Sequence, residues 1–305
     1  MSSYREKPSR EDVFRSVPVA SALRIMILPS VISQLIVLIY NMADTFYIGR
    51  TNNPYMLAGA SLILPVFNML LCLSSLAGIG GGTLISRLLG AGQQAEARKV
   101  SAFSFWLAVT LSLAFSVGLG VGMTPALTFL GAGENIFLYA RQYAFCVIVL
   151  GAVPTVLSNV LAHLVRSVGI SREAGFGITL GAVLNIALDP VFMYLLLPDG
   201  QQVLGVGVAT LLSNCVACGY FLVVLWRIRQ TSVLTPDPRT GLPQPRNMAA
   251  VFGVGVPSAV ASLLFDLDYV VIDKLMVGYS EVALAAIGIV LKVERLPLNV
   301  GIGIC

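Results

Sequence analysis

The chain alternates long apolar runs with short polar ones, and the runs are close to the ~20 residues a helix needs to cross a bilayer. They predict eight spans, at Val19–Ile48, Met56–Ile85, Ala102–Met123, Ile136–Leu164, Phe176–Leu197, Leu204–Trp226, Met248–Val277 and Val282–Cys305. Several are longer than the bilayer requires, so tilts, kinks or extension into water are expected. The first span has an echo. LPSVISQLIVLIYNMADTFYIGR, from Leu28 to Arg50, is answered by VPSAVASLLFDLDYVVIDKLMVGY, from Val256 to Tyr279. Both copies carry Pro-Ser (Pro29, Ser30; Pro257, Ser258), a Tyr four residues before an Asp (Tyr40, Asp44; Tyr269, Asp273) and a Gly five residues after it (Gly49; Gly278). Six spans precede the echo, so both copies enter the membrane in the same direction, as parallel repeats do in many carriers.

Composition removes the soluble alternative. With 57% hydrophobic and 11% charged residues, and a mean hydropathy of +0.87, the chain has more apolar surface than one globule of this size can bury. The expected fold is an all-α polytopic membrane protein. It comprises a polar N-terminal segment (1–18), a six-helix transmembrane lobe (19–228), a Pro-rich linker (229–247) and the first two helices of a second lobe (248–305). A completed repeat would require about four further helices, so the chain reads as truncated or as a fragment.

The net charge of +4 matters less than its placement. Arg and Lys gather in the N-terminal segment and in the loops after the second, fourth and sixth spans, while the intervening loops of the first lobe offer Arg50 alone, so the N-terminus is expected in the cytoplasm. No basic patch with interleaved aromatics points to nucleic acid. Cys72, Cys146, Cys215, Cys218 and Cys305 all lie in apolar runs, which argues against a disulfide framework. The glycine clusters Gly78–Gly82 and Gly118–Gly122 have no preceding strand and no following Lys-Ser/Thr, and read as close helix packing rather than phosphate cradles. His163, the only histidine, reads as an interfacial side chain rather than a metal ligand.

Candidate chemistry follows from what remains polar. Two acids sit inside spans of the first lobe, Asp44 and Asp189, both in the outer half. Asn185 precedes Asp189 by four residues and shares its helix face, and Thr210 reaches a similar depth from the sixth span. A carboxylate in low dielectric resists ionisation and can trade a proton near neutral pH; the same oxygens with Asn and Thr suit a hard cation such as sodium. The plain alternatives are that Asp44 snorkels outward and Asp189 is a satisfied core polar group. Pro29, Pro154 and Pro190 each free a carbonyl four residues back, giving hinges or static kinks. On the seventh and eighth spans, Asp266, Asp268, Asp273, Lys292, Glu294 and Arg295 suggest a polar network that lines a cavity or holds the two helices together.

PSVISQLIVLIYNMADTFYIGR, LAGASLILPVF, ISRLLGAGQQAEARK and above all LNIALDPVF resemble the multidrug and toxic compound extrusion (MATE) family, most closely its bacterial multidrug export branch. The resemblance runs from about Ala20 to the end of the chain. It implies a non-enzymatic antiporter of the bacterial inner membrane, driven by protons or sodium, without cofactor, and with no metal beyond a sodium ion at the site. It also implies a monomeric transporter embedded in lipid that exports cationic amphipathic drugs by alternating access, with Asp44, Asn185, Asp189 and Thr210 as the cation site. The sequence departs from the family in having eight spans against the usual twelve. A lipid-linked saccharide flippase on related lobes and a membrane scaffold or receptor without transport are the rival expectations.

Overall fold

The computed structural model describes residues 19–51, 53–198 and 200–277, with Glu294, Pro297 and Gly301. Secondary structure among them is helical throughout. The long helices are α1 (Val19–Gly49), α2 (Pro54–Gly90), α3 (Gln94–Val121), α6 (Ala152–Ser167), α7 (Ser171–Pro190), α8 (Gln202–Ile228) and α9 (Pro245–Val277), with α4 (Met123–Phe129) and α5 (Glu134–Ala144) between α3 and α6. Two π-helical segments, Phe145–Leu150 and Val191–Leu196, extend α5 and α7.

Among the described residues five helices are long and apolar enough to cross a membrane alone. The pair Glu134–Leu150 and Ala152–Ser167, bent by 51° at its break, is long and apolar enough when taken together. Together with the 31-residue α1, the helices account for the first seven predicted spans. The eighth falls almost wholly outside the described residues. The third helix begins at Gln94 rather than at Ala102, because its opening turns, QAEARKV, favour helix but carry too much charge to register as apolar.

Local chemistry sets the boundaries. Asn53 caps α2 by accepting a 3.0 Å hydrogen bond at its Oδ1 from the Tyr55 N–H, and Pro54 fills the first helical position, where a missing N–H costs nothing. At the other end Gly92 takes φ 75°, which lets the Gln93 N–H return to the Leu88 carbonyl at 2.8 Å. Gly169, at φ 80°, ends α6 in the same manner.

Glycines hold the bundle together. A side chain at Gly80 would run into the Val251 carbonyl of α9, and one at Gly255 into the Leu76 carbonyl of α2. On the other faces of α2, Gly78 packs against the ring of His163 and Gly81 against Ser104. Gly177 of α7 lies under Phe221 of α8. Backbones approach this closely only where side chains are absent, which is how helices associate in lipid. The Gly78–Gly82 cluster is therefore the packing device expected of it, and the His163 ring is part of that packing. Large apolar residues such as Val121, Phe129 and Leu195 remain exposed, while Ser, Thr, Asn and Asp side chains are buried. Exposed apolar side chains on this scale around an apolar core suit a lipid solvent.

The linker lies along the polar end of α3. Ser101 Oγ accepts from the Thr235 N–H at 3.1 Å, Trp106 Nε1–H donates to the Pro236 carbonyl at 2.9 Å, and Glu96 Oε2 accepts from the Gln244 N–H at 3.2 Å and from Asn247 Nδ2 at 2.9 Å. Within the linker itself, Val233 and Leu234 are buried.

Candidate cation site

Asp189, Asn185 and Thr210 are brought together as the spacing suggested. All three are buried, Asp189 completely. Asn185 and Asp189, one turn apart on α7, share a face. Asn185 Nδ2 donates to Thr210 Oγ1 at 3.2 Å, and the same hydroxyl donates to the Val206 carbonyl of its own helix at 2.9 Å. Thr210 is thereby fixed as acceptor from α7 and donor within α8. Asn185 Oδ1 is also buried, and accepts no hydrogen bond from any described residue.

α1 packs chiefly along α7. Its register is tied at the end where the two carboxylate positions lie, where the Tyr194 hydroxyl donates to the Tyr47 carbonyl at 3.1 Å. Asp44 stands three residues before Tyr47 and Asp189 five before Tyr194. At ~1.5 Å per residue their backbone positions lie within about one turn of the same depth. The side chains of Asp44 and Pro29 are outside the described set.

The prolines take different forms. The 51° bend lies at Gly151, and Pro154 stands three residues beyond it, so the carbonyl that Pro154 leaves without its helical partner is that of Leu150, the last residue of the π segment. Pro190 produces no sharp bend. There the helix changes from α to π winding, and Ser171–Leu196 remains one span. Of the second-lobe network, Asp268 and Glu294 are exposed, and the side chains of Asp266, Asp273, Lys292 and Arg295 lie outside the described residues.

A polar layer beside the site was missed from the sequence. Asn214 Nδ2 of α8 donates to Thr155 Oγ1 of α6 at 3.0 Å, and Asn159 Nδ2 donates to the Thr155 carbonyl at 2.9 Å. Two asparagines inside apolar spans were a legible signal, since buried amides need partners; Tyr194, an ordinary interfacial residue by composition, gave none.

Residues 29–191 match the model of the MatE family. The chain is 28% identical over 293 residues to the multidrug export protein MepA of Staphylococcus aureus (strain NCTC 8325 / PS 47), covering 96% of this chain and 63% of that one. It is 29% identical over 277 residues to MepA of Staphylococcus saprophyticus, covering 91% and 60%. Among solved structures, a MOP superfamily transporter from Pyrococcus furiosus and a MATE transporter in complex with MaL6 superpose with TM-scores of 0.87 and 0.90. Each is 24% identical, with 98% of this chain and 65% of the other covered. The chain thus spans about 63% of the length of the curated relative it matches in Staphylococcus aureus.

Proposed function

Because the chain belongs to the MatE family, we propose that it is the cation-coupled part of a multidrug efflux antiporter, in which protons or sodium ions at Asp44 and Asp189 drive export of cationic amphipathic compounds. Its multi-pass architecture fits a bacterial inner membrane with the N-terminus, and hence the basic loops, on the cytoplasmic side. The Asp44–Asp189 level then lies in the outer half.

The observation that carries this reading is the buried oxygen set. Asp189 supplies two oxygens from a fully buried carboxyl group, and one helical turn away stands Asn185 Oδ1, an acceptor that meets no donor among the described residues. A buried acceptor of that kind is costly unless a ligand completes it. Oxygen donors of this type suit either a proton carried on the carboxylate or a sodium ion held between amide, hydroxyl and carboxylate. A cation shifts the transport cycle only by binding one state more tightly than the other. The two carboxylates therefore change surroundings between the inward- and outward-open states.

Ethidium efflux from cells, followed while the proton gradient and the sodium gradient are collapsed separately, tests this. Loss of efflux on collapse of one gradient supports coupling and names the ion. Efflux that survives collapse of both removes the reading.

A further inference from the structure

We propose that Tyr194 is a positioning residue of the coupling machinery, its hydroxyl holding the outer end of α1 against the helix that carries Asp189. The proposal rests on the cation-site reading above and adds a residue to it.

Three observations carry it. First, Tyr194 sits in the π segment Val191–Leu196 that directly follows Pro190. Five residues of α-helix turn a side chain by about 140° from its start, whereas a π turn, closing i→i+5, brings it back towards its starting face. The π winding after Pro190 therefore sets Tyr194 in a different direction from the one an unbroken α-helix would give it.

Second, the bond it makes crosses between helices at a point α1 leaves open. The Thr51 N–H, which would close an ordinary turn onto the Tyr47 carbonyl, goes to Ile48 at 3.1 Å instead. Tyr47 is among the terminal carbonyls that a helix cannot satisfy internally, and the Tyr194 hydroxyl reaches it at 3.1 Å. Third, Tyr194 is 47% exposed, so the bond can break and re-form without unpacking the core. It is suited to a helix end that moves during a cycle.

The consequence is that the relative depth of Asp44 and Asp189, set along the helices by the packing of α1 on α7, is pinned at this end by one hydroxyl. Tyr194→Phe keeps the ring and removes only the donor. In the full-length protein, with its cysteines replaced and spin labels at Arg50→Cys and Leu195→Cys, the distance distribution is expected to broaden in Tyr194→Phe. The maximal rate of ethidium efflux should fall about fivefold, the population change that one net hydrogen bond produces, with the half-saturating ethidium concentration unchanged. An unaltered distance distribution overturns the proposal. So does a broadened distribution with an undiminished rate, which would make the hydroxyl a helix cap and nothing more. The spin-label distance requires no transport, so it stands or falls separately from the cation-site reading, which the efflux of Asp189→Asn decides.

Discussion

Asn185 and Thr210 lie on different helices and are joined at 3.2 Å by an amide-to-hydroxyl bond in which the amide donates. Because the hydroxyl gives its own proton to Val206, it has no freedom to reverse that arrangement. Thr210→Val, of nearly the same shape, leaves the Asn185 amide without its acceptor. A buried donor so stranded costs about 1–3 kcal/mol, so the detergent-solubilised protein should melt several degrees lower. Thr210→Ser keeps the acceptor and should melt close to the parent; equal melting of the Val and Ser variants would show that the bond contributes nothing.

The Gly80–Val251 contact gives a steric prediction. A Cβ at position 80 would overlap a backbone carbonyl of α9, which cannot swing aside like a flexible side chain. Gly80→Val should therefore loosen α2 from α9 and destabilise by about 1–3 kcal/mol or more, as overpacking does. Gly118, with open space around it, is the matched control, and Gly118→Ala should elute and melt like the parent in fluorescence-detected chromatography.

Glu96 predicts a pH dependence at the linker. Its carboxyl lies in the charged opening of α3, below its ordinary value of 4.5, chiefly because the Lys99 ammonium donates to it at 2.8 Å, with help from the Gln244 N–H. A depressed pKa means that the stabilisation is complete above 4.5 and is lost as pH falls through the lower, folded-state value. Trp106 reports it, since its indole N–H binds the linker carbonyl of Pro236. In a Trp226→Phe background the emission should stay constant from neutrality down to about pH 5 and change only in stronger acid. Glu96→Gln should show the released emission at neutral pH. A titration centred near neutrality would assign the response to another group.

The polar layer beside the site makes a related prediction. Asn214→Leu removes the donor to Thr155 while keeping bulk in α8, and Thr155 keeps its bond from Asn159 through the carbonyl. The loss should stay within about 1 kcal/mol, read as a small drop in melting temperature. A collapse of expression would show that the layer organises folding.

What was legible in the sequence follows from which signals lipid makes loud. Twenty-residue apolar runs gave seven helices, most of their ends within five residues and the start of the third eight residues late, because the bilayer fixes the length of the apolar part but not of the charged turns beyond it. Asp189 and Asn185 stood out because charge and amide are rare there, and their i, i+4 spacing set their common face without tertiary knowledge. The 51° bend at Gly151 was less clear. Pro154 pointed to the right turn, yet the break falls where its missing bond would be, three residues earlier, and the π segment before it carries no compositional mark. Tyr194 was invisible for a similar reason, since an interfacial tyrosine and a tyrosine bridging two helices read alike until the partner carbonyl is known. Thr210 was placed by counting from the helix start, which works only because α8 begins where the hydropathy rises.

In the proposed function the buried carboxyl of Asp189 drives transport. Asp189→Asn keeps the shape and removes the ionisable group, and ethidium efflux by the full-length variant in cells, normalised to its amount in the membrane, tests it directly. Normal insertion is expected, with efflux reduced to the level of cells lacking the protein. Efflux at the parent rate from the same amount of inserted protein would contradict it.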